Sequence, residues 1–166
     1  MKAGYVNPRN LLFVLLLISA AVVSGCASAA DDYSPETIIA LEKGALDRWA
    51  KGDPQGFYDI MAPDESYFDP LAEKRVDSLE ALKAHIAPFA GKFSIDRIDM
   101  VNPKVVRDGN VAVLTFNLVD YGAQMNGGKK ETSRWNSTEV FRRIAGQWKV
   151  VHSHWSYTKP DLTPKP

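Results

Sequence analysis

Asp69, in the run Phe68-Asp69-Pro70, is of the type and setting to do chemistry. A carboxylate in a largely apolar pocket can remove a proton from the carbon next to a carbonyl. An Asp-Pro step is also a common turn start, in which the side-chain oxygens cap the turn. Both readings stand on sequence alone. Trp135 and Trp155 offer aromatic surface to a ligand, or plain core packing. Glu139 is either an acid among those rings or a solvated strand residue paired with Arg142 or Arg143. His152 and His154 alternate along one strand face, a spacing that can ligate a metal. A metal site needs three or four ligands, and no Asp, Cys or further His stands at a convincing partner spacing, so no metal is expected. His85, between Leu82 and Phe89, reads as a packed or half-exposed helix residue. No Gly-rich phosphate loop, Ser-His-Asp order or Cys-His pair occurs, and no cofactor is expected.

These residues need elements to hold them. Ser34-Pro35-Glu36 is a helix start: Ser as N-cap, Pro at the first helical position, Glu near the positive dipole end. Ile38, Leu41, Ala45 and Trp49 then share a helical face, and Gly52 ends the helix. Asp53-Pro54 starts a second, shorter helix with Phe57, Tyr58, Ile60 and Met61. Tyr67-Phe68-Asp69 reads as a short strand stopped by Pro70. Asp77 or Ser78 starts a third helix with Leu79, Leu82, Ile86 and Phe89 inward. Beyond Gly91 the period becomes alternating, and a bulge between Ile95 and Ile98 reconciles two phases. Asn102-Pro103 reads as a turn. The run Asp108-Gly109-Asn110 joins strands over 104–107 and 111–121, and Ala145-Gly146 joins strands over 130–144 and 147–157. Segregated helices followed by a meander of long strands mean a single α+β domain, with no internal repeat.

The N-terminus is set aside from the fold. Lys2 and Arg9 precede an almost continuously apolar run over 11–23, too short to span a bilayer but suited to a signal peptide. Val23-Ser24-Gly25-Cys26 resembles a lipobox, which makes 1–25 the signal peptide and Cys26 the lipidated mature terminus; Ala27-Ser28-Ala29 offers a cut before Ala30 instead. Export to the cell envelope or periplasm is expected either way, with membrane attachment only through the lipid. Cys26 is the single cysteine, so no internal disulfide exists and stability must come from the core. Residues 26–34 read as a linker, 35–158 as the domain and 159–166 as a loose tail with three prolines. Without Lys2 and Arg9, 18 basic residues face 20 acidic ones. A net charge of −2 with no basic stripe disfavours nucleic acid as a partner.

Over 35–158 the chain resembles the nuclear transport factor 2-like superfamily. The likeness is carried by Gly52-Asp53, Phe68-Asp69-Pro70, Asn102-Pro103-Lys104-Val105 and the run from Gly146 to His154. It is closest to the association (hub) domain of calcium/calmodulin-dependent protein kinase II and its bacterial relatives. The resemblance implies a cone-shaped, cystatin-like roll: three helices on a strongly curved, mostly antiparallel sheet, a pocket in the cone, and an outer sheet face that often pairs with a second subunit. Both phases of the last strand carry bulky residues, Trp148, Val150 and His152 on one and Val151, Trp155 and Tyr157 on the other. A sheet solvated on one side would not look like this. A symmetric homodimer through Val140, Val150, His152 and His154 is therefore expected.

The same resemblance places Asp69 where ketosteroid isomerases have their general-base Asp. Their enolate-stabilising Tyr and protonated Asp correspond to Ala45 and Trp135, which offer no O–H, so that family's activity is not predicted. Tyr58 or Tyr67 could substitute if the fold aims one inward. Pocket arginines of some hub domains correspond to Asn117, Glu139 and Trp155. The implied pocket joins the strand faces of Asn117, Glu139 with Trp135, and Trp155, with Asp69 at its rim beneath the helix bearing Trp49, and Tyr58 nearby. Such a lining suits a small, mostly apolar, neutral or cationic ligand and raises the pKa of Asp69 or Glu139. Two functions follow: a SnoaL-like or ketosteroid-isomerase-like pocket protein, able as an isomerase or lyase to move a proton without a cofactor, or a non-catalytic oligomerisation module similar to a kinase hub.

Overall fold

The computed structural model describes residues 34–158. The expectations for residues 1–25, for Cys26 and for 159–166 lie outside the described residues. Helix α1, Pro35–Trp49, buries Ile38, Ala45 and Leu46 on one stripe, with Pro at its start as the sequence requires. Glu42 lies in the same stripe and is fully buried. After α1 the chain turns at Gly52, whose φ of 78° is left-handed. A Cβ there would come within 2.7 Å of the Phe93 carbonyl oxygen, so only glycine fits. The Gly91 N–H donates to the Gly52 carbonyl at 2.8 Å and ties this turn to the segment leaving the third helix. Arg48, at the end of α1, pairs with Asp53 and Asp59 at 2.7 Å each and holds α2, Gln55–Ile60, against it.

Strand β1, Met61–Phe68, begins directly after α2 and is longer than the expected three residues. Strand β2 is Val76–Asp77, and α3 is Leu79–Ile86. Ser78 caps α3 by accepting from the Ala81 N–H at 3.2 Å, which satisfies one of the helix's orphan donors. Strands β3 (Phe93–Ser94), β4 (Arg97–Asp108), β5 (Val111–Met125), β6 (Glu131–Ile144) and β7 (Gln147–Tyr157) complete the chain. The described residues form a seven-stranded sheet in the order β2-β1-β7-β6-β5-β3, with β4 also on β5. Every pairing is antiparallel except β1 with β7. The sheet is strongly curved around the helices, an α+β roll of cystatin-like form.

Three local readings are corrected. Asn102-Pro103 is not a turn between strands: β4 runs through it, and the register with β5 breaks only between Val101 and Lys104. Asn102 takes a left-handed φ of 52° and Pro103 has no N–H to donate, so the ladder is interrupted while the strand continues. On β5 the inward residues are Ala112, Leu114, Phe116, Leu118 and Asp120, and Asn117 is exposed on the opposite face. Leu114 lies opposite Glu139 and Leu118 opposite Trp135, which fixes that phase. On β7 the register slips at Val151, because Phe141 pairs Val150 while Val140 pairs His152. Trp148 and Val150 before the slip, and Ser153 and Trp155 after it, therefore all face the helices. Val150 is fully buried in the core with Phe141 and Leu114, not on the outer face.

Candidate functional site

The inward rows of β5, β6 and β7 meet α1, α2 and α3 around two adjoining chambers. The inner chamber, about 120 Å³, is walled mainly by apolar and aromatic side chains, among them Trp49, Phe57, Leu82, Trp135 and Trp155. That is room for a small organic group rather than for one or two waters. The outer chamber, about 470 Å³, is bounded by Asp69, His85, Phe89, Phe93 and Tyr157. Trp49, Tyr67, Ile86, Asp120 and Trp135 belong to both walls, so the chambers meet there. Trp155 packs edge-on against Phe116 and Trp135, with ring centroids 5.5 and 6.1 Å apart. These contacts fix the aromatic wall in place.

Asp69 stands where β1 ends, and its two oxygens have different partners. Oδ1 accepts from the Leu71 N–H at 2.7 Å and forms the turn at Pro70. Oδ2 lies 3.1 Å from His85 Nε2 and accepts from the Tyr67 hydroxyl at 3.2 Å. The Asp69 side chain is 17% exposed and that of His85 32%. His85 reaches Asp69 because it lies on the inward side of α3, three residues beyond the buried Leu82. Burial drives the Tyr67 hydroxyl far above its ordinary range, and Asp69 adds to this, so Tyr67 stays a neutral donor. Turn capping and a place on the chamber wall thus coexist in one carboxylate.

Asp120, in phase with Leu114, Phe116 and Leu118, is a second acid on the wall, and the sequence reading did not single it out. Its Oδ2 accepts from Trp135 Nε1 at 2.8 Å and from the Ser133 hydroxyl at 3.1 Å. Its Oδ1 is buried without a partner. Burial raises its pKa, and the bonds from Trp135 and Ser133 pull the other way. The signal was available: an acid continuing a strand's bulky apolar series. It was missed because the opposite phase, although it holds Thr115 and Asn117, also carries Val113 and Val119.

Behind the inner chamber lie three fully buried glutamates. Glu139, on β6, accepts from the Ser137 hydroxyl at 2.7 Å. Glu65, on β1, accepts from the Ser153 hydroxyl at 3.3 Å. Glu42, on α1, has neither oxygen partnered. Burial raises all three, Glu65 to about 7. The charge of Glu42 adds to the rise at Glu139. Two acids this close in a dry interior do not both ionise readily. Among the described residues no group of three or more His, Cys, Asp or Glu is arranged to hold a metal ion.

Of the residues singled out from sequence, Trp49, Trp135 and Trp155 line the inner chamber and Asp69 the outer one. Glu139 faces inward but sits behind the wall, opposite Ser153. Asn117 is corrected to the outer face, where its side-chain amide donates to Asn136 at 2.8 Å. Tyr58 is corrected too: its neighbour Phe57 lines the chamber, while the Tyr58 ring lies 5.8 Å from Lys83 Nζ. Tyr67 is the tyrosine that the fold aims inward. His152 and His154 flank Phe68 on the outer face, with His152 Nδ1 2.9 Å from the Ser66 hydroxyl.

The sequence over residues 38–160 matches the SnoaL-like domain. A candidate ketosteroid isomerase from Parabacteroides distasonis is similar at 39% identity, over 80% of this chain and 94% of that one, with a TM-score of 0.66. The hub of the S. rosetta calcium/calmodulin-dependent kinase II is similar in fold, at 23% identity over 74% and 95% of the two chains and a TM-score of 0.60. So is a nuclear transport factor 2-like protein of unknown function from Pseudomonas putida, at 21% identity over 79% and 91%, with a TM-score of 0.63. No functionally curated protein matches the sequence. A curved sheet closing on three helices around an aromatic chamber, and a match spanning nearly all the described residues, lead to one conclusion: the chain belongs to the SnoaL-like family of the nuclear transport factor 2-like superfamily.

Proposed function

We propose that the protein is an exported small-molecule-binding domain whose pocket moves a proton at a carbon next to a carbonyl, without a cofactor. The observation that carries this is the position of Asp69 Oδ2, within 3.2 Å of both the Tyr67 hydroxyl and His85 Nε2 at the entrance to an aromatic chamber. Asp69 is the base. It takes the carbon-bound proton and becomes a carboxylic acid, while the electron pair moves to the carbonyl oxygen. Once Asp69 has taken that proton, the Tyr67 hydroxyl turns from Asp69 and donates its one hydrogen bond to the enolate, the task for which Ala45 and Trp135 have no O–H. Asp69 then returns the proton, so no oxidant or reductant is needed. The likeness to a candidate ketosteroid isomerase supports this class of chemistry. The signal-like run before Cys26 supports export, and the lipobox-like Val23 to Cys26 supports a lipid anchor.

The test is deuterium uptake from heavy water into a panel of small cyclic ketones, read by mass spectrometry. Wild-type protein should accelerate uptake. Asp69→Asn should abolish it with folding intact, since Asn still caps a turn. Asp69→Ala should in addition cost about 1 kcal/mol of stability. Uptake that is equal in wild type and Asp69→Asn refutes the role of Asp69.

A second reading, self-association, is favoured by the outer sheet face. Val106, Val113 and Val140 lie side by side across β4, β5 and β6, next to His152 on β7. Val101 and Val106 are exposed large hydrophobic residues there. Like the kinase hubs this chain resembles, it would use this face to bind a second copy. Pocket and interface occupy opposite faces of the sheet, so the two readings are compatible.

A further inference from the structure

We infer that the inner chamber takes the protonated amine of an organic ligand, with Asp120 as its counter-ion. This rests on the chamber being the ligand site, but not on proton transfer by Asp69. Three observations converge. The first is the wall itself. Trp49, Phe57, Trp135 and Trp155 present aromatic surface, and among the described residues no Lys, Arg or His lines it. Aromatic faces attract cations and give an anion nothing to bind. The second is Asp120. The residue is 5% exposed, its Oδ2 is held by Trp135 Nε1 and the Ser133 hydroxyl, and its Oδ1 has no partner. A buried carboxylate oxygen without a donor is costly, and an N–H⁺ group supplies both a donor and a charge. The third is the surroundings. Basic groups on the outer wall are already engaged: His85 with Asp69, and Lys129 with Glu131 at 3.5 Å. Neither is free to neutralise Asp120.

The choice of a protonated amine over its rivals follows from these groups. A carboxylate ligand would meet Asp120 with no cation between them. A quaternary ammonium would satisfy the rings but bring no N–H to Oδ1. A neutral alcohol would bring a donor but no charge. A primary to tertiary ammonium brings both, and its apolar body fits against Leu82 and Trp155.

The test uses three probes of one shape: 3,3-dimethylbutylamine, 3,3-dimethylbutan-1-ol and 3,3-dimethylbutanoate. Binding to the full mature protein is measured at pH 7 by calorimetry and by quenching of tryptophan fluorescence. The ammonium should bind at least about tenfold more tightly than the alcohol, and the carboxylate should not bind measurably. Asp120→Asn, which can still accept from Trp135 and Ser133, should remove that preference while leaving the alcohol's affinity within about twofold. Phe57→Leu should weaken the ammonium several-fold more than the alcohol, which keeps the inference testable if Asp120→Asn does not fold. Asp69→Asn should leave amine binding unchanged, so proton transfer can fail while the amine site stands. Equal affinity for amine and alcohol in the wild type overturns the inference, as does a preference that survives Asp120→Asn.

Discussion

Replacing Glu65 by Gln should make the protein more stable at alkaline pH, against the usual expectation for a core substitution. Glu65 is fully buried, with Oε1 accepting from Ser153 and Oε2 unpartnered. Burial lifts its pKa from 4.5 to about 7; the Ser153 hydroxyl opposes the rise and the charge of Asp77 adds to it. The folded state therefore holds the proton more tightly than the unfolded chain. The stability this gives is complete below pH 4.5 and is lost as pH climbs through about 7. Each pH unit weighs about 1.4 kcal/mol, so the loss at Glu65 is about 3 kcal/mol by pH 8. Glu42, Glu139 and Asp120, also raised, act in the same direction. His152 acts the opposite way: its pKa is lowered by burial, so its contribution grows as pH rises towards 6.5. Asp53 and Asp64 are lowered chiefly by their arginine partners and Asp59 by the Gln55 amide and then by Arg48, and they act only below about pH 4. The difference between wild type and Glu65→Gln isolates Glu65 from all of these. Urea unfolding at pH 5 and pH 8 measures it, provided the slope with urea is the same in both proteins. Near pH 5 the two should agree within about 1 kcal/mol, and at pH 8 the variant should lead by about 3 kcal/mol. A variant less stable than wild type at pH 8 would refute the protonated-core argument.

Gly52→Ala should cost well over 1 kcal/mol, because a Cβ there meets the Phe93 carbonyl at 2.7 Å on a left-handed backbone; thermal unfolding decides it, and an unchanged midpoint contradicts the reading. Light scattering at micromolar concentration should give twice the monomer mass, and Val113→Asp with Val140→Asp should give a folded monomer. A clean wild-type monomer would rule out the outer face as an interface. Intact-mass measurement of the membrane fraction should find a chain that begins at a lipidated Cys26; an unlipidated start at Ala30 or Asp31 would remove the anchor and leave export standing.

Local chemistry made much of the fold legible. Pro35 at a helix start, Ser78 as a side-chain cap and Gly52 at a helix end each act on backbone within a few residues, so their neighbours reveal them. Strand existence was legible from alternation, but strand phase was not. On β5 one series is Ala112, Leu114, Phe116 and Leu118 and the other mixes Val113 and Val119 with Thr115 and Asn117, and the cross-strand partners Glu139 and Trp135 fix which faces the helices. On β7 the slip at Val151 lets bulky residues of both phases turn inward, which alternation alone reads as a two-sided sheet. The aromatic wall was anticipated through Trp49, Trp135 and Trp155, because large rings have few other places to go. Asp120 and the buried Glu42 and Glu65 were not. A carboxyl in an interior row or stripe is locally indistinguishable from one on a solvated face, and only the tertiary structure shows that water is excluded.

The divided carboxylate of Asp69 has a consequence for how such a site can change. Because Oδ1 is bound to the Leu71 N–H, the plane of the group is set by the turn and not by whatever enters the chamber. Its second oxygen is immobilised before any ligand arrives, so aligning it adds no entropic barrier to a reaction. In the proposed proton transfer, control of speed would thereby lie outside the cavity, in the short segment after Pro70. Insertions or exchanges there would rotate the oxygen of the proposed base by small angles while the chamber walls stay as they are. On that proposal, rate and selectivity would be separately adjustable, one by loop length and the other by the faces of three strands.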